Sequence, residues 1–111
     1  MSVQAIAAVA EARKHLGEPH KYGGSSPGGF DCGGLVQYCY KKAGIKLPRN
    51  IDDLINCGNS VSQADLKTGD LVFPKNGYVG LYTQKGKFII VLDVVKEVNV
   101  FQFYTGRRVV K

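Results

Sequence analysis

A chain of 111 residues is long enough for one apolar core and too short for two, so residues 1–111 are expected to form a single domain. Its three cysteines, Cys32, Cys39 and Cys57, are odd in number and contain no Cys-x-x-Cys pair, which argues against a disulfide framework or a zinc knuckle and implies reduced thiols with no metal and no cofactor. The net charge of +6 favours an acidic partner, either nucleic acid or an anionic wall or surface polymer, although the basic residues are interspersed rather than run together.

The opening MSVQAIAAVA lacks a basic stretch, and its apolar run over residues 5–10 is shorter than a signal-peptide core or a membrane span. The expectation is a chain made in the cytoplasm without a secretion signal and without a membrane partner. Ser2 is placed to cap a first helix reaching about Leu16, with Ile6, Val9, Ala12 and Leu16 on its apolar side and Gly17 as its stop. Residues 23–29, GGSSPGG, read as a loop without regular structure that lets backbone approach other groups closely. Asp31 is placed to cap a second helix from about Cys32 to Ala43, in which Leu35, Val36, Cys39 and Ala43 recur at helical spacing. Asn50 is placed to cap a short third helix over residues 51–57. Beyond it, residues 71–73, 78–83, 88–92, 94–103 and 107–110 are β-branched or aromatic runs separated by turn residues. Helices first and strands afterwards predict an α+β domain, an antiparallel sheet packed against the early helices.

A thiol attacks as thiolate, and the first turn of a helix holds it against the positive end of the helix dipole, which lowers its pKa. Cys32 has that position and is a candidate nucleophile; the competing role is that of a small buried apolar residue, as most free cysteines are. Gly33 and Gly34 leave room beside it, and their N–H groups, with that of Cys32, are candidate oxyanion donors. Cys39, seven residues on along the same face, and Cys57 read as structural.

The blocks LGEPHKYGG, GGFDCGGLVQYCYKKAGIKLPR, LKTGDLVF and YVGLYTQKGKF occur in that order, and together the chain resembles the NlpC/P60 family of cell-wall cysteine peptidases. The resemblance implies a papain-like α+β domain acting on peptidoglycan stem peptides, commonly at the bond between D-glutamate and a diamino acid. In that family the cysteine of an Asp-Cys-Ser-Gly motif is the nucleophile, a histidine opening a His-Val-Gly-Ile-Tyr strand is the base, and a polar residue on the next strand orients the base. Asp31 and Cys32 match, and Gly33 stands where the family has serine. Tyr78, followed by Val79, Gly80, Leu81 and Tyr82, stands at the histidine. The third position falls within residues 88–92, FIIVL, which offer no histidine, asparagine or glutamine. A phenol keeps its proton at neutral pH and makes a poor general base. His20 occupies the place of a family active-site tyrosine, either as a relocated base or as a group contacting substrate, while His15 reads as a packing or surface residue. Asp31, Gly33, Gly34 and Tyr22 are the expected substrate contacts.

Two functions follow, and the residues leave open whether the chain is an enzyme. One is a peptidoglycan-hydrolase fold whose turnover is impaired or lost, serving as a wall-binding or structural module. The domain also resembles hydrolase modules of phage tails and injection devices, a likeness that implies contacts to assembly proteins in place of catalysis and action at the wall after delivery or release from such a device. The other is an active cysteine endopeptidase cleaving the D-glutamyl–diamino acid bond with Cys32 as nucleophile and His20 as base. Nucleic-acid binding through Phe101, Phe103, Tyr104, Arg107 and Arg108 is not expected, because the FQFY alternation is also that of a half-buried strand.

Overall fold

Ser2 caps the first helix as predicted. In the computed structural model, which describes residues 2–110, its hydroxyl accepts the Ala5 N–H at 3.3 Å and α1 runs Val3–Arg13. The helix stops a turn short of Leu16, ahead of Gly17 at φ +90°. Its buried face is Ala5, Ala8, Val9 and Ala12, whereas Ile6 and Leu16, expected inside, are 46% and 43% exposed. The physical reason is the approach distance that small side chains permit. A Cβ added at Gly69 would meet the Ala5 Cβ at 2.4 Å, so α1 lies against backbone on its alanine side.

Asp31 is extended and caps α2 (Cys32–Lys42) by accepting the Gly34 N–H at 2.7 Å. Leu35, Val36 and Cys39 are buried as their spacing predicts, and Tyr40 joins them, its hydroxyl donating to the Gly69 carbonyl. Residues 23–29 do hold regular structure, contrary to expectation: β1 (Ser25–Ser26) and β2 (Gly29–Phe30) form a small antiparallel hairpin. The third helix, α3 (Ile51–Leu54), is a single turn, and the Asn50 side chain makes no cap bond.

The main sheet contains β3 (Asn59–Val61), β4 (Leu71–Pro74), β5 (Gly80–Tyr82), β6 (Lys87–Val91), β7 (Val95–Asn99) and β8 (Phe103–Arg108), in the order β3-β8-β4-β5-β6-β7. Every neighbouring pair is antiparallel. Strand β3 escaped the sequence reading because its Asn-Ser pair lacks strand character. The predicted run 94–103 is two strands, broken where Gln102 takes φ +44° and the chain crosses back to lie between β3 and β4. Phe30, Tyr40, Phe73 and Phe88 fill the space between the helices and the sheet. Among the described residues no helix is long and apolar enough to cross a membrane.

Of the two roles expected for His15, packing holds and surface does not. It is 7% exposed, and its ring nitrogens meet Glu11 at 2.8 Å and Glu18 at 2.5 Å, with Phe30 and Tyr38 edge-on to the ring. Glu18 also accepts the Gly28 N–H at 2.7 Å, so the cluster ties α1 to the β1–β2 hairpin. Burial works against the imidazolium, but the Glu11 and Glu18 carboxylates outweigh it and hold His15 above its usual range. The His15 hydrogen bond in turn lowers Glu11, and Glu18 is lowered against the cost of its burial by Gly28 and His15. This stabilisation is full below the ordinary imidazole value of about 6.5 and is lost as pH rises through the higher folded value. On the acid side it is lost as pH falls through the depressed carboxylate values. In urea denaturation between about pH 5 and 9, the advantage of the parent over a His15→Gln variant is expected to shrink as pH climbs past the imidazole range. Parallel stability curves for the two proteins would contradict this.

Candidate active-site cleft

The start of α2 presses Cys32 against β6, where its thiol donates to the Val91 carbonyl at 3.2 Å. Two lobes of about 430 and 400 Å³ open beside it. Cys32, His20 and Tyr78 line both lobes. Tyr22, Asp31, Gly33, Gly77 and residues 49–52 complete the first, and Val91, Leu92 and Asp93 complete the second. Five separate segments therefore converge: the loop after α1, the first turn of α2, residues 49–52, the bend before β5 and the end of β6. The His20 backbone is anchored by its N–H to the Asp93 carbonyl at 2.9 Å and by a bridge to Phe30. Cys32 donates to Val91 and not to His20 or Tyr78.

Helix position alone predicts an activated thiol, and the structure reverses that expectation. Cys32 is only 8% exposed; burial pushes its thiol up, the backbone groups of Val79 and Val91 pull it down, and the Asp31 carboxylate pushes it up again, for a net rise. Cys39 is pushed up to about 12, chiefly by burial and then by Glu11. Cys57 is also pushed up by burial, and neither thiol lines the cleft.

Asp31 has two tasks. One oxygen caps α2 and the other takes the Arg49 guanidinium at 2.8 Å. Burial works to raise its carboxyl, but Arg49 and the Gly34 N–H prevail and keep it below the usual carboxylate range. Arg49 was not among the expected site residues, although it ends the block LPR. Its signal was Gly33: a Cβ there would meet the Arg49 carbonyl at 2.8 Å and its Nη1 at 3.2 Å, so the missing side chain makes room for the Asp31–Arg49 pair. Gly34 corrects the expectation of a second oxyanion donor and substrate contact. Its N–H is engaged by Asp31, and a Cβ there would meet the Gly24 carbonyl at 1.9 Å, so its function is to let the glycine-rich loop close on α2.

Tyr78 is 38% exposed in the bend two residues before β5, not inside a strand as predicted. Gly80 pairs with Ile90 across β5 and β6; Ile89, Ile90 and Val91 are buried and Leu92 is half-buried. No side chain of that stretch can accept a hydrogen bond. Tyr22 stands 95% exposed at the rim, its ring unpacked against the protein.

A cysteine opening a helix, seated against an antiparallel sheet and preceded by a capping aspartate, is the arrangement that the sequence resemblance implied. A family model described as the NlpC/P60 family matches residues 17–110. The chain belongs to the NlpC/P60 family. Both the resemblance and the papain-like α+β fold expected from it hold. Among curated proteins, the probable endopeptidase p60 of Listeria monocytogenes is 41% identical over 89 residues, covering 77% of this chain and 18% of that protein. The gamma-DL-glutamyl hydrolase of Bacillus subtilis is 46% identical over 74 residues, 65% of this chain and 18% of that protein. The chain thus spans about a fifth of the length of the curated relatives it matches. Among solved structures, RipD of Mycobacterium tuberculosis, described as a non-catalytic NlpC/p60 domain protein adapted to a peptidoglycan-binding function, superposes with a TM-score of 0.87 at 29% identity. That match covers 99% of this chain and 100% of RipD. The peptidoglycan hydrolase RipB of the same organism superposes with a TM-score of 0.89 at 27% identity, covering 97% of this chain and 65% of RipB. This chain therefore superposes about equally well on a domain described as non-catalytic and on one described as a peptidoglycan hydrolase.

Proposed function

We propose that this NlpC/P60 domain binds peptidoglycan stem peptides at the wall without efficient turnover. The observation that carries this reading is the composition of the cleft around Cys32: a buried thiol with a raised pKa, Tyr78 in place of the base and an apolar Ile89–Leu92 stretch in place of the orienting residue. Attack on a peptide carbonyl needs the thiol proton removed and later returned to the leaving amine, and neither the phenol nor the apolar strand supplies an acceptor for it. What remains suits binding. Tyr22 and Tyr78 offer ring surface, and Arg49, which meets Asp31 through Nη2 alone, keeps N–H donors for a stem-peptide carboxylate.

His20 supports the second reading, an endopeptidase with a relocated base, because its side chain is the single imidazole on the lobes that Cys32 lines. One experiment separates the two. A stem peptide containing a D-glutamyl–diamino acid bond is titrated calorimetrically and its integrity followed by mass spectrometry. The expected result is saturable binding that survives Cys32→Ala and weakens about tenfold in Arg49→Met, corresponding to loss of one charge-assisted contact, with no product above a buffer control. Cleavage that disappears in both Cys32→Ala and His20→Ala would overturn it in favour of the relocated base.

A further inference from the structure

The outer side of α2 carries a second concavity that the Cys32 cleft does not use. A depression of about 620 Å³ is lined by Ser25, Ser26, Gln37, Tyr38, Lys41 and Lys42. A second, of about 330 Å³, shares Gln37 and Lys41 with it and adds Lys46 and Leu47, so the two adjoin across that pair of side chains and are taken together as one groove. Lys41, Lys42 and Lys46 are all exposed and none forms a salt bridge among the described residues. No carboxylate lines either depression. Glu11 feels the charge of Lys42 but is occupied by His15 and Lys14. Lys41 and Lys42 sit in the last turn of α2, where they also offset the negative end of its dipole. Lys46 lies beyond the helix and has no such role.

We propose that this groove binds the phosphodiester backbone of an anionic wall polymer. The proposal extends the wall-binding reading above by giving the domain a second contact, remote from Cys32. Three ammonium groups along a groove match a chain carrying one negative charge per repeat, and the Ser25 and Ser26 hydroxyls add donors suited to phosphate oxygens and polyol groups. A nucleic acid carries similar charge, but it gains much of its hold on single strands by stacking bases on aromatic rings. The one aromatic in the groove, Tyr38, is only half-exposed and its ring is packed against His15 and Phe30, so it offers no open platform.

The test is binding of fluorescently labelled poly(glycerol phosphate), measured by anisotropy against salt, for the parent and the Lys41→Gln, Lys42→Gln, Lys46→Gln triple variant. The parent is expected to bind and to weaken about 20- to 40-fold between about 50 and 200 mM salt, as release of counterions from roughly three contacts requires. The triple variant is expected to lose at least about tenfold in affinity and most of that salt dependence, with its stem-peptide affinity unchanged and its thermal midpoint lowered only by the few degrees that two dipole-offsetting charges contribute. No binding by the parent, or equal binding by the variant, overturns the proposal while leaving the stem-peptide result to stand or fall separately. Tighter binding of a single-stranded oligonucleotide of the same charge would also overturn it and assign the groove to nucleic acid.

Discussion

Replacing Tyr78 with histidine is expected to raise the rate of Cys32 alkylation at pH 7 by about tenfold or more, because an imidazole on the lobes that Cys32 lines can take the thiol proton and stabilise the thiolate as imidazolium. In the parent, burial keeps the thiol protonated. Its iodoacetamide reaction should therefore rise log-linearly with pH through neutrality and level off only above the ordinary thiol value of about 8.5. The Tyr78→His variant should level off earlier. Adding Leu92→Asn, on the lobe that Tyr78 also lines, should shift the profile further by orienting the ring. Superimposable profiles for parent and Tyr78→His would show that burial at β6, rather than the missing base, keeps Cys32 quiet. If His20 already acts as the base, the parent profile will itself be low and His20→Ala will raise it.

The largest loss of stability is expected from Arg108→Met. Asp70 is 3% exposed and accepts the Arg108 Nε at 2.9 Å, its Nη2 at 2.7 Å and the Lys67 N–H at 2.8 Å. Arg108 also donates to the Asp65 carbonyl at 2.9 Å, which fastens β8 to the segment ahead of β4. Removing the guanidinium leaves a buried carboxylate without its counter-charge, at a cost of about 3 kcal/mol by comparison with other half-removed buried pairs. For a domain of this size that lowers the thermal midpoint by about 10–20 °C. Removing both charges, in Arg108→Met with Asp70→Asn, should recover much of the loss, since the cost lies in the uncompensated charge rather than in the pair's own attraction. A single-variant loss below about 1 kcal/mol, the range of exposed ion pairs, would mean that water reaches Asp70 when the arginine is gone.

The features legible in the sequence are those decided within one turn of chain. Ser2 and Asp31 announced the starts of α1 and α2, and the Asp-Cys pair announced the site, because a capping side chain reaches only the N–H groups two or three residues ahead. The burial of α1 was misread for the opposite reason. Which apolar stripe faces inward depends on what the helix lies against, and α1 lies against Gly69 with its alanines rather than with Ile6 and Leu16. Arg49 went unrecognised because its partner, Asp31, is 18 residues away in sequence and joined to it only across Gly33.

The state of Cys32 divides between the two levels in the same way. Sequence determined that a cysteine opens a capped helix, and the family resemblance sets Tyr78 and an apolar run where it implies a histidine and a polar residue. The helix N-terminus, a local effect, favours the thiolate; burial of the sulfur, whose thiol meets Val91 of β6, 59 residues further along the chain, and the Asp31 charge work against it, and the thiol is held up. Only the packing of the sheet against α2 could decide the sign, because desolvation depends on every atom that displaces water around the sulfur and no short stretch of sequence specifies that set.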